Sequence, residues 1–192
     1  GTLTEVWVAT SGNDDSNAGT QGSPFATIQK GIDAVAPGGT VYVAAGTYSE
    51  QVIINKSLTL KGSGNPVIKA PDNPASFTFA ESTASWEPVV FAFGGTNGGN
   101  SITGTDTINV TISGFTVNGN DRVPTGRSAG IILRNVEGTI LGNTVRNMYV
   151  NGKETFGIVA YGNSDVTISG NEVSGYARCG IGVNGDSNGI NS

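Results

Sequence analysis

The chain has 192 residues, a length that accommodates one domain with a sizeable core. Glycine is abundant at 30 residues while β-branched aliphatics remain plentiful, which marks a turn-rich β protein rather than a disordered chain. A net charge of −5 without any run of Lys or Arg argues against a nucleic-acid partner, and no stretch of about 18 apolar residues is present to span a membrane.

Gly1 stands where an initiator Met would, so the chain reads as processed or trimmed. "TLTEVWVAT" at 2–10 is a β-rich arm. "SGNDDSN" at 11–17 offers the side chains of Asn13, Asp14, Asp15 and Asn17 as oxygen ligands, with Asp14 and Asp15 the candidates for calcium. Their spacing is not that of a known calcium loop, and Asx turns account for the same residues; no other cofactor is implied. "SPFATIQKGIDAVAPGG" at 23–39 predicts a capping α-helix over about 24–36, with Ser23 as cap, Pro24 in the first turn and Gly38-Gly39 as the stop. Ile28, Ile32 and Val35 share one face of it, as in lids that cover the apolar end of a solenoid. "GGTVYVAAGTY" at 38–48 supplies a first partial coil, so that 1–49 forms an amino-terminal cap.

From residue 50 onward one phrase recurs. "INVTISGFTVNG" at 108–119, "VEGTILGNTVRN" at 136–147 and "SDVTISGNEVSG" at 164–175 place Ile112, Ile140 and Ile168 at a constant step of 28. Gly114, Gly142 and Gly170 keep that step, as do Val117, Val145 and Val173. The pieces on either side of the Gly-Asn pair alternate at period two and are β-branched, which favours strands joined by a corner too tight for a hairpin. A third strand follows in each unit: "AGIILRN" at 129–135, "FGIVAYGN" at 156–163 and "CGIGVNGD" at 179–186. Earlier instances are "EQVII" at 50–54, "SLTLKGSGNPVIK" at 57–69 and "PVVFAF" at 88–93, which leaves 70–87 and 94–107 as long insertions at corners. Three strands per unit wound one way describe an all-β, single-stranded, right-handed parallel β-helix. It has about four to five coils and forms a single domain over 1–192, with coils over 50–192.

Residues 6–64, "VWVATSGNDDSNAGTQGSPFATIQKGIDAVAPGGTVYVAAGTYSEQVIINKSLTLKGSG", resemble the amino-terminal segment shared by many secreted and cell-surface right-handed β-helix proteins of the pectate-lyase-like superfamily. The later "VTISGNxV" and "GIxV" phrases across 108–186 are similar to the generic repeats of that superfamily. The resemblance implies an extracellular or cell-surface location. It does not choose a function, because one solenoid hosts lyases, hydrolases, epimerases, adhesins and wall proteins. It also implies that, in the lyases, substrate lies on the outer face of one sheet, with acidic sugars held through calcium and Arg or Lys as the base.

On the corresponding sheet here, alternation points Ile131, Leu133, Ile158 and Ala160 inward. Two outward stripes are then expected, Val90, Ile132, Val159, Gly182 and Ala92, Arg134, Tyr161, Asn184. Neither contains a carboxylate, so neither suits calcium or a hydrolytic carboxylate pair. The apolar residues Ile132 and Val159 call for a cover, from 70–87 or 94–107 or from another subunit. Arg134 is the first candidate for a base or anion clamp, with Lys153 and Arg178 in support. Tyr161 and Tyr149 are candidate stacking platforms, and Asp121 and Arg127 lie in the rim loops. Solvated loop charge accounts for the same rim.

Cys179 has no partner for an internal disulfide, and with no His in the chain it has no imidazole base. Asn143 and Asn171 are placed to stack as an internal amide ladder, interrupted at Phe115. Asn55-Lys56-Ser57 and Asn109-Val110-Thr111 are sequons, which makes Asn55 and Asn109 glycosylation candidates.

Three functions compete: a structural or adhesive surface module, a carbohydrate-binding module, and a polysaccharide lyase. The absent acidic groove, the absent His and the apolar outer stripe favour the first. The strand "GIGVN" at 180–184 presents an unpaired edge, and "GDSNGINS" after it is too short and polar to cap it. The chain therefore reads as a fragment of a longer β-helix or as a protomer of an extended assembly. Its expected partners are polysaccharide or other copies of itself through open ends, with the arm at 2–10 as one source of a pairing strand.

Overall fold

Alternation buries Val110 and Ile112 on one side of the strand Ile108–Ser113, and the 28-residue repeat lays an equivalent strand beside it. Ile112 pairs in parallel register with Ile140, and Ile140 with Ile168. The computed structural model describes residues 3–184, in which this stacking builds three parallel sheets around one core. The first sheet runs Leu3–Val8, Val35–Val43, Leu58–Gly62, Ile108–Ser113, Val136–Leu141, Asp165–Ser169. The second runs Thr47–Ser49, Val67–Lys69, Thr116–Asn118, Thr144–Arg146, Glu172–Val173. The third runs Val52–Ile54, Val90–Phe93, Ser128–Arg134, Thr155–Tyr161, Cys179–Asn184. A 6-stranded and two 5-stranded sheets make five three-strand coils of a parallel β-helix plus one leading strand.

The corner between the first and second sheets is made by glycine. Gly114 sits at φ 80, and a Cβ there would stand 2.6 Å from the Gly62 carbonyl oxygen of the preceding coil. In the next two coils an asparagine follows the corner glycine and turns inward instead of adopting the left-handed conformation. Asn143 Oδ1 accepts from the Phe115 N–H at 3.1 Å, and Asn171 Oδ1 accepts from the Asn143 N–H at 2.9 Å. Their Nδ2 groups donate to Ile112 and Ile140 carbonyls at 3.0 and 2.8 Å. Each amide of the predicted ladder thus satisfies the corner of the coil before it.

The helix is shorter than the predicted 24–36. It spans Ile28–Ala34, and its N-cap is Thr27, whose side chain accepts from the Lys30 N–H. Phe25 is extended and bridges Val8, so the Ser23-Pro24 signal belongs to a turn and not to a cap. Ile28, Gly31 and Ile32 are buried against the first coil, where Gly31 faces Val6, Val8 and Val41. Glu50, reaching up from that coil, accepts the N–H groups of Ile28 and Gln29 at 3.0 and 2.8 Å. Burial holds the Glu50 carboxyl above its ordinary pKa, against the opposing pull of those two donors.

The leading arm is used internally. Leu3–Val8 pairs with Val35–Val43 on one side, while Trp7 and Ala9 exchange backbone bonds with Gly19 and Phe25 on the other. The opposite end is open among the described residues: the last strands of all three sheets have one neighbour each, and Ile181 and Val183 are 48% and 53% exposed. The segment 185–192 lies outside the described residues.

The two insertions fold together. The antiparallel hairpin of Phe77–Phe79 and Ser82–Trp86 joins, through Phe77–Phe79, the hairpin of Thr96–Gly98 and Ser101–Thr103, giving a 4-stranded cover sheet. A second apolar core forms beneath it from Phe77, Phe79, Trp86 and Ile102 above and Phe91, Phe93, Ile132 and Val159 below. Ile132 and Val159 are fully buried, as their outward placement requires. Val90 and Ala92 are not on this face. Val90 pairs with Ile131 and Ala92 with Leu133, which turns both inward and puts Phe91 and Phe93 outward. An all-apolar run carries no alternation from which to read that phase.

Truncating Phe91 to Ala, at the centre of the second core, is expected to cost about 3–5 kcal/mol by urea denaturation. Leu141→Ala, at a position 46% exposed, is expected to stay within about 0.5 kcal/mol.

Candidate functional site

The outer face of the third sheet, where the resemblance places substrate, is occupied by the chain's own cover sheet. Arg134 is 2% exposed. Its Nε and Nη2 donate to the two carboxylate oxygens of Glu81 at 3.0 and 2.8 Å, and its Nη1 donates to the Gly94 carbonyl at 2.9 Å. A bidentate pair of this kind fixes the cover sheet to the helix in one orientation. Tyr161 is buried as well, packed edge-on against Phe79 at 5.0 Å and Trp86 at 5.7 Å. Burial lifts its phenol above the ordinary pKa, which keeps it protonated at neutral pH. Arg134 reaches solvent only at the edge of a cleft it shares with Glu81 and Asn135, and Tyr161 is nearly covered.

The rim residues divide in two groups. Arg127 pairs with Glu154 through Nε and lies over the Trp86 ring at 5.6 Å. Glu154 also receives Arg178 at 2.8 Å. Lys153 joins Arg127 and Glu154 around an open cleft of about 460 Å³ floored by Thr83 and Ser85 of the cover sheet. Asp121 and Tyr149 stand apart from this cleft, in the corners that precede the third-sheet strands, and both are exposed. The structure thus brings Arg127, Lys153 and Arg178 together around Glu154 and separates them from Arg134.

Sequence reading missed the two carboxylates that organise the face. Glu81 holds Arg134, and Glu87, 5% exposed, receives Arg122 at 2.6 Å together with the Thr125 hydroxyl. Burial opposes ionisation of Glu87, but the Thr125 and Arg122 donors outweigh it and keep its pKa below the ordinary value. The only signal was the presence of acids inside an insertion that otherwise reads as apolar and small.

In the amino-terminal loop, Asp14 is committed within the chain. It accepts from the Ala26 N–H at 2.7 Å, the Thr27 N–H at 3.1 Å and the Thr27 hydroxyl at 2.7 Å. Burial raises its pKa, yet the Thr27 and Ala26 donors win and the net shift is downward. Asp15 is exposed, and its N–H closes an Asx turn on Asn13. Among the described residues, no group of three or more His, Cys, Asp or Glu is placed to hold a metal ion. Asn55 and Asn109 are both exposed, and the Asn109 N–H donates to the Ser57 hydroxyl of the other sequon at 2.9 Å. Cys179 is partly buried, a free thiol donating to the Ile181 carbonyl. Among the described residues no helix is long and apolar enough to cross a membrane.

Comparison with known proteins adds three findings. A family model described as "Protein of unknown function (DUF1565)" matches residues 10–192. A curated relative, "Cell surface glycoprotein" of Methanothermus fervidus, is 31% identical over 136 residues, which cover 69% of this chain and 18% of that relative's length. Two crystal structures of the GH136 lacto-N-biosidase of Eubacterium ramulus superpose with a TM-score of 0.55 at 12% identity. The first of them is matched over 93% of this chain and 34% of its own. At that identity the likeness is one of fold.

Two outcomes test the geometry. Arg134→Ala leaves the Glu81 carboxylate without its partner beneath the cover and is expected to cost about 3–5 kcal/mol, while Arg134→Met combined with Glu81→Leu recovers most of it. For Asp14, whose folded pKa lies below the ordinary 3.8, stabilisation is complete above 3.8 and is lost as pH falls through the folded value. The gap in unfolding midpoint between the native chain and Asp14→Asn should therefore be full at neutral pH and shrink in acid.

Proposed function

This chain belongs to the right-handed parallel β-helix family described as Protein of unknown function (DUF1565), and we propose that it is an extracellular or cell-surface module with a structural or adhesive role. The observation that carries this reading is the sealed outer face of the third sheet, where an apolar core and the Arg134–Glu81 pair fill the space an open substrate groove needs. The cell-surface relative supports the location, and the exposed sequons Asn55 and Asn109 fit it as glycan acceptors. The chain spans 18% of that relative, in keeping with a β-helical unit inside a larger architecture.

The open last coil supplies the adhesive element. Among the described residues, Ile181 and Val183 are inward-phase residues without a coil above them, and their strand is paired on one side only. Stacking on another coil, of a longer chain or of a second copy, buries both at roughly 25 cal/mol per Å². The helical lid blocks the same event at the amino end.

A lyase reading finds its best support at the cleft of Arg127, Lys153 and Glu154, where Arg178 joins as a third basic residue through Glu154.

Sedimentation across a concentration series tests the proposal. Self-association that is abolished by Ile181→Lys with Val183→Lys is expected, and a monomer at every concentration would overturn the stacking of copies. Release of unsaturated product from an anionic polysaccharide, lost in Lys153→Ala, would replace the structural reading with the lyase.

A further inference from the structure

Trp7 alternates with the buried Val6 and Val8, so its ring stands on the outer face of the first sheet, away from the sealed third sheet. Register places Tyr42 directly beside it on the neighbouring strand, and the two rings stack with centroids 5.1 Å apart at 22°. Both are half-buried, and each keeps part of its surface in solvent. With Gln21, Pro24 and Ser63 they line a cleft of about 450 Å³, a volume in the range of small-ligand sites. No Asp, Glu, Lys or Arg lines it.

Next to Tyr42 the same face carries a row of hydroxyls. Thr40, Thr59, Thr111, Thr139 and Thr167 are successive partners in register across five strands. At the usual strand separation of about 4.8 Å they form a hydroxyl track along the helix axis, which Glu5 ends beside Thr40 and which Asn109, Glu137 and Asp165 flank two residues away. The aromatic pair lies in the neighbouring row at the same end of the sheet, with Lys61 next along that row.

We propose that Trp7 and Tyr42 form a binding site for a neutral glycan, with the polymer continuing over the threonine row. The chemistry selects this ligand class. A pyranose ring presents a C–H face that packs on an aromatic ring and hydroxyls that pair with an amide and a hydroxyl, here Gln21 and Ser63. No charged side chain lines the cleft itself, and at its edge Lys61, the register partner of Tyr42, and Glu5, which accepts from the Tyr42 hydroxyl at 3.4 Å, bring one charge of each sign and so do not favour an anionic sugar. A purely apolar ligand would strip water from Gln21 and Ser63 without replacing its hydrogen bonds. The site goes beyond the surface role proposed above and does not rest on it, since it lies on another sheet and uses neither the open coil nor the cover sheet.

The chain has two tryptophans, and Trp86 is fully buried, so a glycan-dependent change in emission reports on Trp7. The probes are cellohexaose, mannohexaose and N-acetylchitohexaose, with hexagalacturonate as the anionic control. At least one neutral probe is expected to shift the emission and to titrate in calorimetry. Tyr42→Ala should weaken that binding by about tenfold, and Trp7→Ala should abolish it, with the far-UV spectrum unchanged because neither ring belongs to the core. The proposal is overturned if no neutral probe binds at millimolar concentration, if hexagalacturonate binds as tightly, or if Trp7→Ala binds as the native chain does. None of these outcomes depends on whether the chain self-associates.

Discussion

Every inward side chain of this solenoid must pack on the residue one coil along, in register and about 4.8 Å away. That single requirement governs most of the sequence. It holds Ile112, Ile140 and Ile168 in one file and Val117, Val145 and Val173 in another, because a slip of one residue would send a whole strand's apolar set to the outside. It also governs the corners. Coils stacked so closely leave no room for a Cβ where Gly114 meets Gly62, and no water to satisfy the turning amide. The Asn143 and Asn171 side chains meet that need from within. Where a file begins, something other than a coil must cover it, and the helix Ile28–Ala34 does so with Ile28 and Ile32.

The same rule read outward explains the cover sheet. A parallel strand buried on both faces loses its alternation, and Ser128–Arg134 and Thr155–Tyr161 are buried at every position. Their outer residues need a second layer, which the insertions provide with Phe77, Phe79 and Trp86. Placing Arg134 under that layer is expensive unless its charge is met, and Glu81 with the Gly94 carbonyl meets it. The pair contributes orientation more than net stability, because apolar residues of similar volume would fill the same space.

What the sequence revealed and what it concealed follow from these two layers. The repeat, the three-strand coil, the lid and the need to cover Ile132 and Val159 are properties of spacing and polarity, and they were legible. The phase of "PVVFAF" was not, because an unbroken apolar run fits either face and only the bulk of Phe91 and Phe93 suits the roomier outer core. The start of the helix was misplaced because Ser23-Pro24 imitates a cap, whereas Thr27 with Asp14 and Glu50 builds the real one from three separated segments. Arg134 stood out as an outward charge in an apolar stripe, and its partner Glu81 lies 53 residues away in a segment with no periodicity to place it. Long-range ion pairs leave no local trace, so a charge destined for burial looks like a charge aimed at a ligand.

Covering one face shifts the chemistry to others. The third sheet carries the bulky and charged residues but has spent them on its own second core. The second sheet is short-stranded and presents little area. The first sheet is the longest, and its outer surface holds a file of threonines beside an aromatic pair at the lidded end. Among the described residues the two ends of the solenoid differ as well, one closed by the helix and the strand it rests on, the other exposing Ile181 and Val183. Under the role proposed above, the last described strand and the outer face of the first sheet make the contacts, and the third sheet supports them. Such a division of labour requires nothing of the sealed face except rigidity, which its aromatic core and buried ion pair supply.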